Sequence, residues 1–259
     1  MGLDEEQQRR MKGRYCLLLA CKDSEYVMKM YGGYMNVFVT TFGEEGETWD
    51  LFRVVDGEFP DMSDIHKYDG FVVSGSPHDA YANDYWILKL CFLLNTLDSM
   101  KKKVLGICFG HQVLCRALGG KVGKSSSGWD IGVRKVKISC GSDDSMPMPL
   151  PELSIIECHQ DEILEIPMGV EVVGVSDKTG VEIFRKERHV LGIQGHPEYT
   201  IDILHNLIDR LLSNNCIQES FAEAVRLQLE TTEPDRMYWV KICNLFLKGD
   251  DVITNLFDY

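Results

Sequence analysis

Residues 103–120 read KVLGICFGHQVLCRALGG. The run opens on Val104-Leu105-Gly106-Ile107, apolar and short enough for a buried strand. It closes on a helical pattern in which Val113, Leu114, Ala117 and Leu118 recur on one face until Gly119-Gly120 stops it. Between strand and helix stands one reactive side chain, Cys108. Gly106-Ile107-Cys108-Phe109-Gly110 has the form G-x-C-x-G, the thiol counterpart of a nucleophile elbow, whose small flanking residues let the chain turn sharply from strand to helix. Such a turn lifts the sulfur clear of the sheet and sets it at the first turn of a helix, where the partial positive charge favours a thiolate. It also aims the backbone N–H of Phe109 at the reacting centre, as one donor to an oxyanion. The competing reading makes Cys108 another buried, inert thiol; the strand before it and the helix after it favour the elbow.

Upstream, residues 15–20 (YCLLLA) read as a first buried strand, followed by a helical stretch from Asp23 that Gly32-Gly33 interrupts. Residues 49–55 (WDLFRVV) alternate well enough for a second strand, and residues 70–73 (GFVV) form a short third. Residues 84–100 are long and apolar enough for a helix packed on a sheet. Strands alternating with helices at this spacing predict an α/β fold of three layers, a mostly parallel central sheet flanked by helices. After Lys121 the pattern changes to short period-two runs at 133–139, 154–158, 170–175, 181–184 and 190–194. These predict an added small antiparallel β region before a helix over 201–212. Two more helical patterns fall within 217–247, with Asn214-Asn215 as the expected break. The expected organisation is a polar, disordered lead at 1–13, a catalytic domain at 14–214 and a helical extension at 215–259.

Composition narrows the class. A chain of 259 residues with 44% apolar content can build a sizeable core. Its net charge of −13 argues against a nucleic-acid or anionic-membrane surface, because binding phosphates takes clustered Lys and Arg. The one basic run, Lys101-Lys102-Lys103, is read as decorating the exposed end of the preceding helix. Nine cysteines, an odd number without a C-x-x-C pair, signal neither a disulfide framework nor a structural zinc site and suit a reducing compartment. The first residues, MGLDEEQQRRMK, hold no apolar stretch for a secretory signal, and no run approaches the length of about 18 apolar residues that spans a bilayer. A cytosolic protein that binds neither nucleic acid nor membrane is expected, and its oligomeric state is left open.

A thiol nucleophile needs a base. Residues 194–199 (QGHPEY) follow the apolar strand 190–193, which places His196 at a strand end, on the same sheet edge as Cys108 if the two strands are parallel. Imidazole has the pKa range to take the thiol proton, and Glu198, two residues on across a proline, can accept from the other ring nitrogen and fix the tautomer. Taken alone, H-P-E also fits a surface turn with a helix-capping glutamate. A third piece, residues 74–79 (SGSPHD), follows strand 70–73; its small residues allow close backbone approach to a ligand and a second oxyanion N–H. Cys108, His159 and His196 have no metal-ligand spacing, so no metal is expected.

Together these pieces resemble the class I glutamine amidotransferase family, which has a cysteine in a G-x-C-x-G elbow and a His-Pro-Glu near the end of the domain. The resemblance implies Cys108 as nucleophile, His196 as base and Glu198 as its orienter. The family's oxyanion loop, usually S-G-G-P or S-N-G-P, matches Ser74 to Pro77, with Ser76 where glycine is common; Ser76 and Phe109 are thereby implied as oxyanion donors and Gly75 as a substrate contact. Gln112 matches a position that touches the glutamyl group, and Gly128, Trp129 and Asp130 fall where the family holds the α-amino and α-carboxylate ends. YGGYMNVFVTTFGEEGETWDLFRV, FVVSGSPHDAYANDYWILKL, CHQDEILEIP and QGHPEY are further similar to a plant branch, the γ-glutamyl peptidases that process glutathione conjugates in sulfur-containing defence metabolism. That implies hydrolysis of a small-molecule γ-glutamyl substrate such as a glutathione conjugate, through a γ-glutamyl thioester and without a cofactor. Little chain remains beyond the three residues to build a synthase, so water is the expected acceptor. A glutaminase subunit delivering ammonia to a separate synthase and an inactive binding homologue stand as alternatives.

Overall fold

β1 (Arg14–Leu19) is buried from its second residue on, as a strand covered on both faces must be. Ser24 caps α1 (Glu25–Tyr31), its hydroxyl accepting the Val27 N–H at 3.1 Å. Gly32, at φ 74°, ends that helix in the left-handed conformation, and Gly33, at φ 112°, leads into α2 (Tyr34–Phe42). The paired glycines divide the helical stretch because other side chains fit poorly at either dihedral. β2 (Thr48–Arg53), β3 (Gly70–Val73), α3 (Tyr85–Ser99), β4 (Lys103–Ile107) and α4 (Phe109–Ala117) follow. The chain continues through β5 (Lys121–Lys124), β6 (Asp130–Ile138), β7 (Glu152–His159), β8 (Asp161–Glu165), β9 (Glu171–Val175), β10 (Ile183–Lys186) and β11 (Val190–Ile193). It ends with α5 (Ile201–Ser213), α6 (Glu219–Leu229) and α7 (Arg236–Lys248). The computed structural model describes residues 13–138 and 152–249, so position 139 of the run 133–139 and most of the lead at 1–13 lie outside the described residues.

Nine strands form one sheet in the order β2-β1-β3-β4-β11-β10-β9-β6-β7. β2, β1, β3, β4 and β11 are mutually parallel, and each later neighbour pairs antiparallel, so only β6 and β10 oppose the common direction. The antiparallel strands therefore extend the main sheet from β11 instead of standing apart from it. Period-two alternation reports that a strand has one wetter face, but not which edge it joins. Among the described residues the separate piece is the β5–β8 ribbon, which pairs antiparallel. The strand read at 181–184 lies two residues later, at Ile183–Lys186, with a register shift at Ile183/Phe184 that periodicity does not encode. The 101–103 lysines reach across to other elements: Lys101 pairs with Glu187 at 2.7 Å, and Lys102 donates to the Tyr68 carbonyl at 2.7 Å.

Two cores sandwich the sheet. Leu17 and Leu19 of β1 pack with α1, α2 and α5 to α7 on one face, while Cys16 and Leu18 pack with α3 and α4 on the other. α7 belongs to the first core through Trp239, Ile242, Cys243, Phe246 and Leu247. Its N-cap Asp235 is stitched to β7: the carboxylate accepts the Ser154 N–H at 2.7 Å and its own N–H donates to the Ser154 carbonyl at 2.8 Å. The fully buried Trp239 indole N–H donates to the same carbonyl at 3.0 Å. Trp239→Ala is expected to cost about 3–5 kcal/mol, seen as a lower urea midpoint at unchanged slope. A loss below about 1 kcal/mol would show that α7 adds little to the core.

Candidate active site

Three parallel strands deliver the sequence motifs to one edge. β4 lies between β3 and β11, with Gly106 opposite Val73 and Ile107 opposite Ile193. Continued past the strand ends, those registers set Gly75 on one side of Cys108 and Gln194 on the other, and the Cys108 N–H donates to the Ile193 carbonyl at 2.9 Å. Cys108 adopts φ 52°, ψ −106°, a backbone state that costs a non-glycine residue on the order of 1–3 kcal/mol. Glycine on both sides makes the turn possible. A Cβ at Gly106 would fall 2.5 Å from the Gly110 carbonyl oxygen, and one at Gly110 would run into the Val73 carbonyl. α4 thus packs directly on β4 and β3, with Cys108 as its N-cap.

His196 sits on the loop after β11, its N–H donating to the Ile156 carbonyl at 2.8 Å. Its Nδ1 lies 2.8 Å from Glu198 Oε1, so the ring donates there and presents Nε2 as the basic nitrogen. Gly75 brings ring and thiol into one contact shell: a Cβ built on it would stand 2.9 Å from His196 Cε1 and 3.6 Å from Cys108 Cβ. Cys108, His196 and Glu198 are 6%, 4% and 1% exposed, which keeps bulk water from screening them. Burial pushes the Cys108 thiol up, and the neighbouring His196 pulls it partly back. For His196, burial acts downward but is outweighed by the Glu198 carboxylate and the Cys108 sulfur, which raise it to about 10. The carboxylate makes the imidazole a stronger base, as proton removal from a buried thiol requires.

Other groups hold this loop. Tyr199 stacks on His196 at 3.9 Å between centroids and 2° between planes, fixing the ring. Arg236 of α7 donates to the Tyr199 carbonyl at 3.2 Å, the Glu198 carbonyl at 3.4 Å and Thr41 Oγ1 at 2.9 Å. Ser74 fastens the opposite loop, its hydroxyl accepting from the Ala20 N–H at 2.8 Å and donating to the Gly75 carbonyl at 2.9 Å. The N–H groups of Gly75, Ser76 and Phe109 donate to no acceptor among the described residues. Gly75 is buried against the thiol and imidazole, whereas Ser76 is half-exposed and its hydroxyl accepts the His78 N–H at 3.1 Å.

The remaining expected residues are placed differently. Gln112 is buried with its amide turned to Gln194 Oε1 at 3.0 Å and the Asp161 carbonyl at 2.8 Å. Gly128 occupies a turn at φ 70°, and the Trp129 carbonyl accepts from Lys178. Neither is hydrogen-bonded to Cys108 or His196 among the described residues. Asp130 is buried and held by Arg134 at 2.7 Å. Sequence reading passed over Glu157, Glu182, Tyr199 and Arg236. An acid inside the apolar strand run Ile155-Ile156-Glu157 was the signal available for the first; nothing local marks Arg236, which reaches the site from another helix.

Comparison with known proteins agrees with this architecture. The profile of the family "Glutamine amidotransferase class-I" matches residues 27–214. Gamma-glutamyl peptidase 5 of Arabidopsis thaliana is 52% identical over 241 residues, covering 91% of this chain and 96% of the relative. Gamma-glutamyl peptidase 3 of the same plant is 50% identical, covering 92% and 98%. The crystal structure of a glutamine amidotransferase from Thermotoga maritima superposes with a TM-score of 0.66 at 24% identity, over 91% of this chain and 96% of its own, a likeness of fold.

Proposed function

The chain belongs to the glutamine amidotransferase class-I family, in the branch that holds the plant γ-glutamyl peptidases, and on that premise we propose that it is a cysteine-dependent γ-glutamyl peptidase cleaving glutathione S-conjugates. The observation that carries the reading is the buried His196–Glu198 pair, 2.8 Å apart, beside a cysteine held at φ 52° on a helix N-terminus. In this reading Cys108, His196 and Glu198 are the catalytic triad. His196 takes the thiol proton, and the Cys108 sulfur bonds to the γ-carbonyl carbon of the substrate. The carbonyl oxygen becomes an oxyanion facing the N–H groups of Phe109 and Ser76, with that of Gly75 also free. Collapse breaks the C–N bond as His196 returns the proton to the departing amine. That step releases a cysteinylglycine conjugate and leaves a γ-glutamyl thioester on Cys108. Water then attacks the thioester while giving a proton to His196, the C–S bond breaks, and glutamate leaves as the sulfur regains its proton.

The test is to incubate the purified chain separately with an S-substituted glutathione and with glutamine. Glutamate and the S-substituted cysteinylglycine are expected from the first without any added protein. Ammonia release from glutamine that depends on a second protein, with the conjugate untouched, would overturn the proposal in favour of a glutaminase subunit.

A further inference from the structure

α7 lies beyond residues 27–214, the stretch that carries the family likeness, yet it reaches the loop that holds His196. That loop, from His196 to Thr200, hangs between two supports. At its start the His196 N–H donates to the Ile156 carbonyl of β7 at 2.8 Å, and at its end Thr200 stands at the N-cap of α5, its hydroxyl 3.0 Å from that of Tyr31. Between these supports the backbone makes one long bond of its own, from the Tyr199 N–H to the His196 carbonyl at 3.4 Å.

The first turn of α7 grips both the strand and the loop. Asp235 and Trp239 hold Ser154 of β7, two residues before Ile156, while Arg236 turns to the loop. The carbonyls of Glu198 and Tyr199 accept from Arg236 at 3.4 and 3.2 Å and from no other donor among the described residues. Both residues are buried, so without the arginine these acceptors stand where water reaches them poorly. The guanidinium is itself tied to α2 through Thr41 Oγ1 at 2.9 Å; that hydroxyl gives its own proton to the Val37 carbonyl at 2.7 Å, which leaves its lone pairs to the arginine. A planar fork of donors can span acceptors on two elements, as a single ammonium cannot.

Resting on the hydrolase reading above, we infer that Arg236 is a positioning residue for turnover, and that α7 is the brace through which the C-terminal helices set the reactive geometry. The carbonyls it holds belong to the residues that fix His196: the Glu198 carboxylate, 2.8 Å from Nδ1, and the Tyr199 ring, stacked on the imidazole at 3.9 Å. Arg236 hydrogen-bonds none of the side chains of Cys108, His196 and Glu198 among the described residues, so it acts on the backbone and, through it, on where the imidazole points. A misplacement of about 1 Å caused far from the chemistry can cost about a hundredfold in rate. The bonds from Asp235 and Trp239 to Ser154 do not involve the guanidinium, so its removal loosens the loop and leaves the helix docked.

The experiment measures kcat and KM of the full chain for an S-substituted glutathione in the wild type, Arg236→Ala, Arg236→Lys and Arg226→Ala. Arg236→Ala is expected to lower kcat by about ten- to a hundredfold with KM within about threefold of wild type, since alignment for proton transfer is lost and ground-state binding is kept. Arg236→Lys should recover only part of that loss, and methylguanidinium, added to Arg236→Ala at a non-denaturing concentration, should raise kcat at least about threefold without affecting the wild type. Arg226→Ala removes the same charge from α6, where the arginine pairs with Asp209 and Glu219, and should keep kcat within about twofold. An unchanged kcat in Arg236→Ala, an equal loss in Arg226→Ala, or a loss that neither lysine nor methylguanidinium relieves overturns the inference and leaves the hydrolase standing. Should Arg236→Ala fail to fold, Arg236→Lys decides alone: a reduced kcat at wild-type KM supports the positioning role, and a wild-type kcat overturns it. A wild type that releases nothing from the conjugate removes the hydrolase reading and this one with it.

Discussion

Cys108→Ala is expected to leave a folded chain whose turnover of a γ-glutamyl substrate falls by about 10⁴-fold or more, because in the proposed mechanism no other group takes over covalent attack. The fold survives because the substitution removes a single sulfur. The strand-to-helix turn depends instead on Gly106 and Gly110, whose absent side chains make room for backbone carbonyls. Circular dichroism and a thermal melt close to those of the wild type check the first half of this result, and steady-state rates check the second. A more direct readout is the intact mass of wild-type protein quenched after brief exposure to substrate, where a γ-glutamyl adduct should appear on Cys108. Eight cysteines are described as free thiols, and burial raises Cys16, Cys21, Cys91, Cys115, Cys158 and Cys243, so adventitious acylation of these is disfavoured. An adduct that persists in Cys108→Ala, or activity within tenfold of wild type, would sink the thiol mechanism.

Glu198→Gln carries the second large effect, a fall of about 10³–10⁴-fold in kcat together with a displaced pH profile. In the proposed mechanism a proton must leave the Cys108–His196 pair before the sulfur can attack. Burial raises the thiol, and His196 reaches about 10 because the Glu198 carboxylate and the Cys108 sulfur outweigh burial. In the wild type, kcat/KM therefore climbs as pH rises through neutrality, with the midpoint of its ascending limb above the ordinary imidazole value of 6.5. A neutral amide still accepts the Nδ1 hydrogen bond but no longer stabilises the imidazolium by charge. The His196 pKa then falls and the limb moves to lower pH, while the plateau drops because the weaker base is a poorer partner for the thiol. Rates measured from pH 5 to 10 decide the matter. A lowered plateau with an unmoved limb would assign Glu198 a purely steric role.

What could be read in the chain beforehand follows from how local the controlling physics is. Gly106 and Gly110 around Cys108 announce a turn because no side chain fits where they sit, and the apolar runs at 70–73 and 190–193 coincide with β3 and β11 because short strands buried on both faces leave little ambiguity. The division of the first helical stretch at Gly32-Gly33 was equally visible, since positive φ at both positions is a property of the residues themselves. The β5–β8 ribbon was not, because four or five residues of mixed polarity carry too little periodicity to stand out.

Spacing and residue type were enough to single out a thiol, an imidazole and a carboxylate and to predict strands that would present them. Their meeting was decided by parallel registers, Val73 with Gly106 and Ile107 with Ile193, that align strand ends far apart along the chain. Tertiary structure alone decided that Arg236 reaches back to the Glu198 and Tyr199 carbonyls, and that Glu157, buried behind Gly195, meets the carboxyl of Glu182. Propensity and periodicity act over a few residues, whereas burial, pairing and the pKa of a buried acid depend on what the folded chain packs against it.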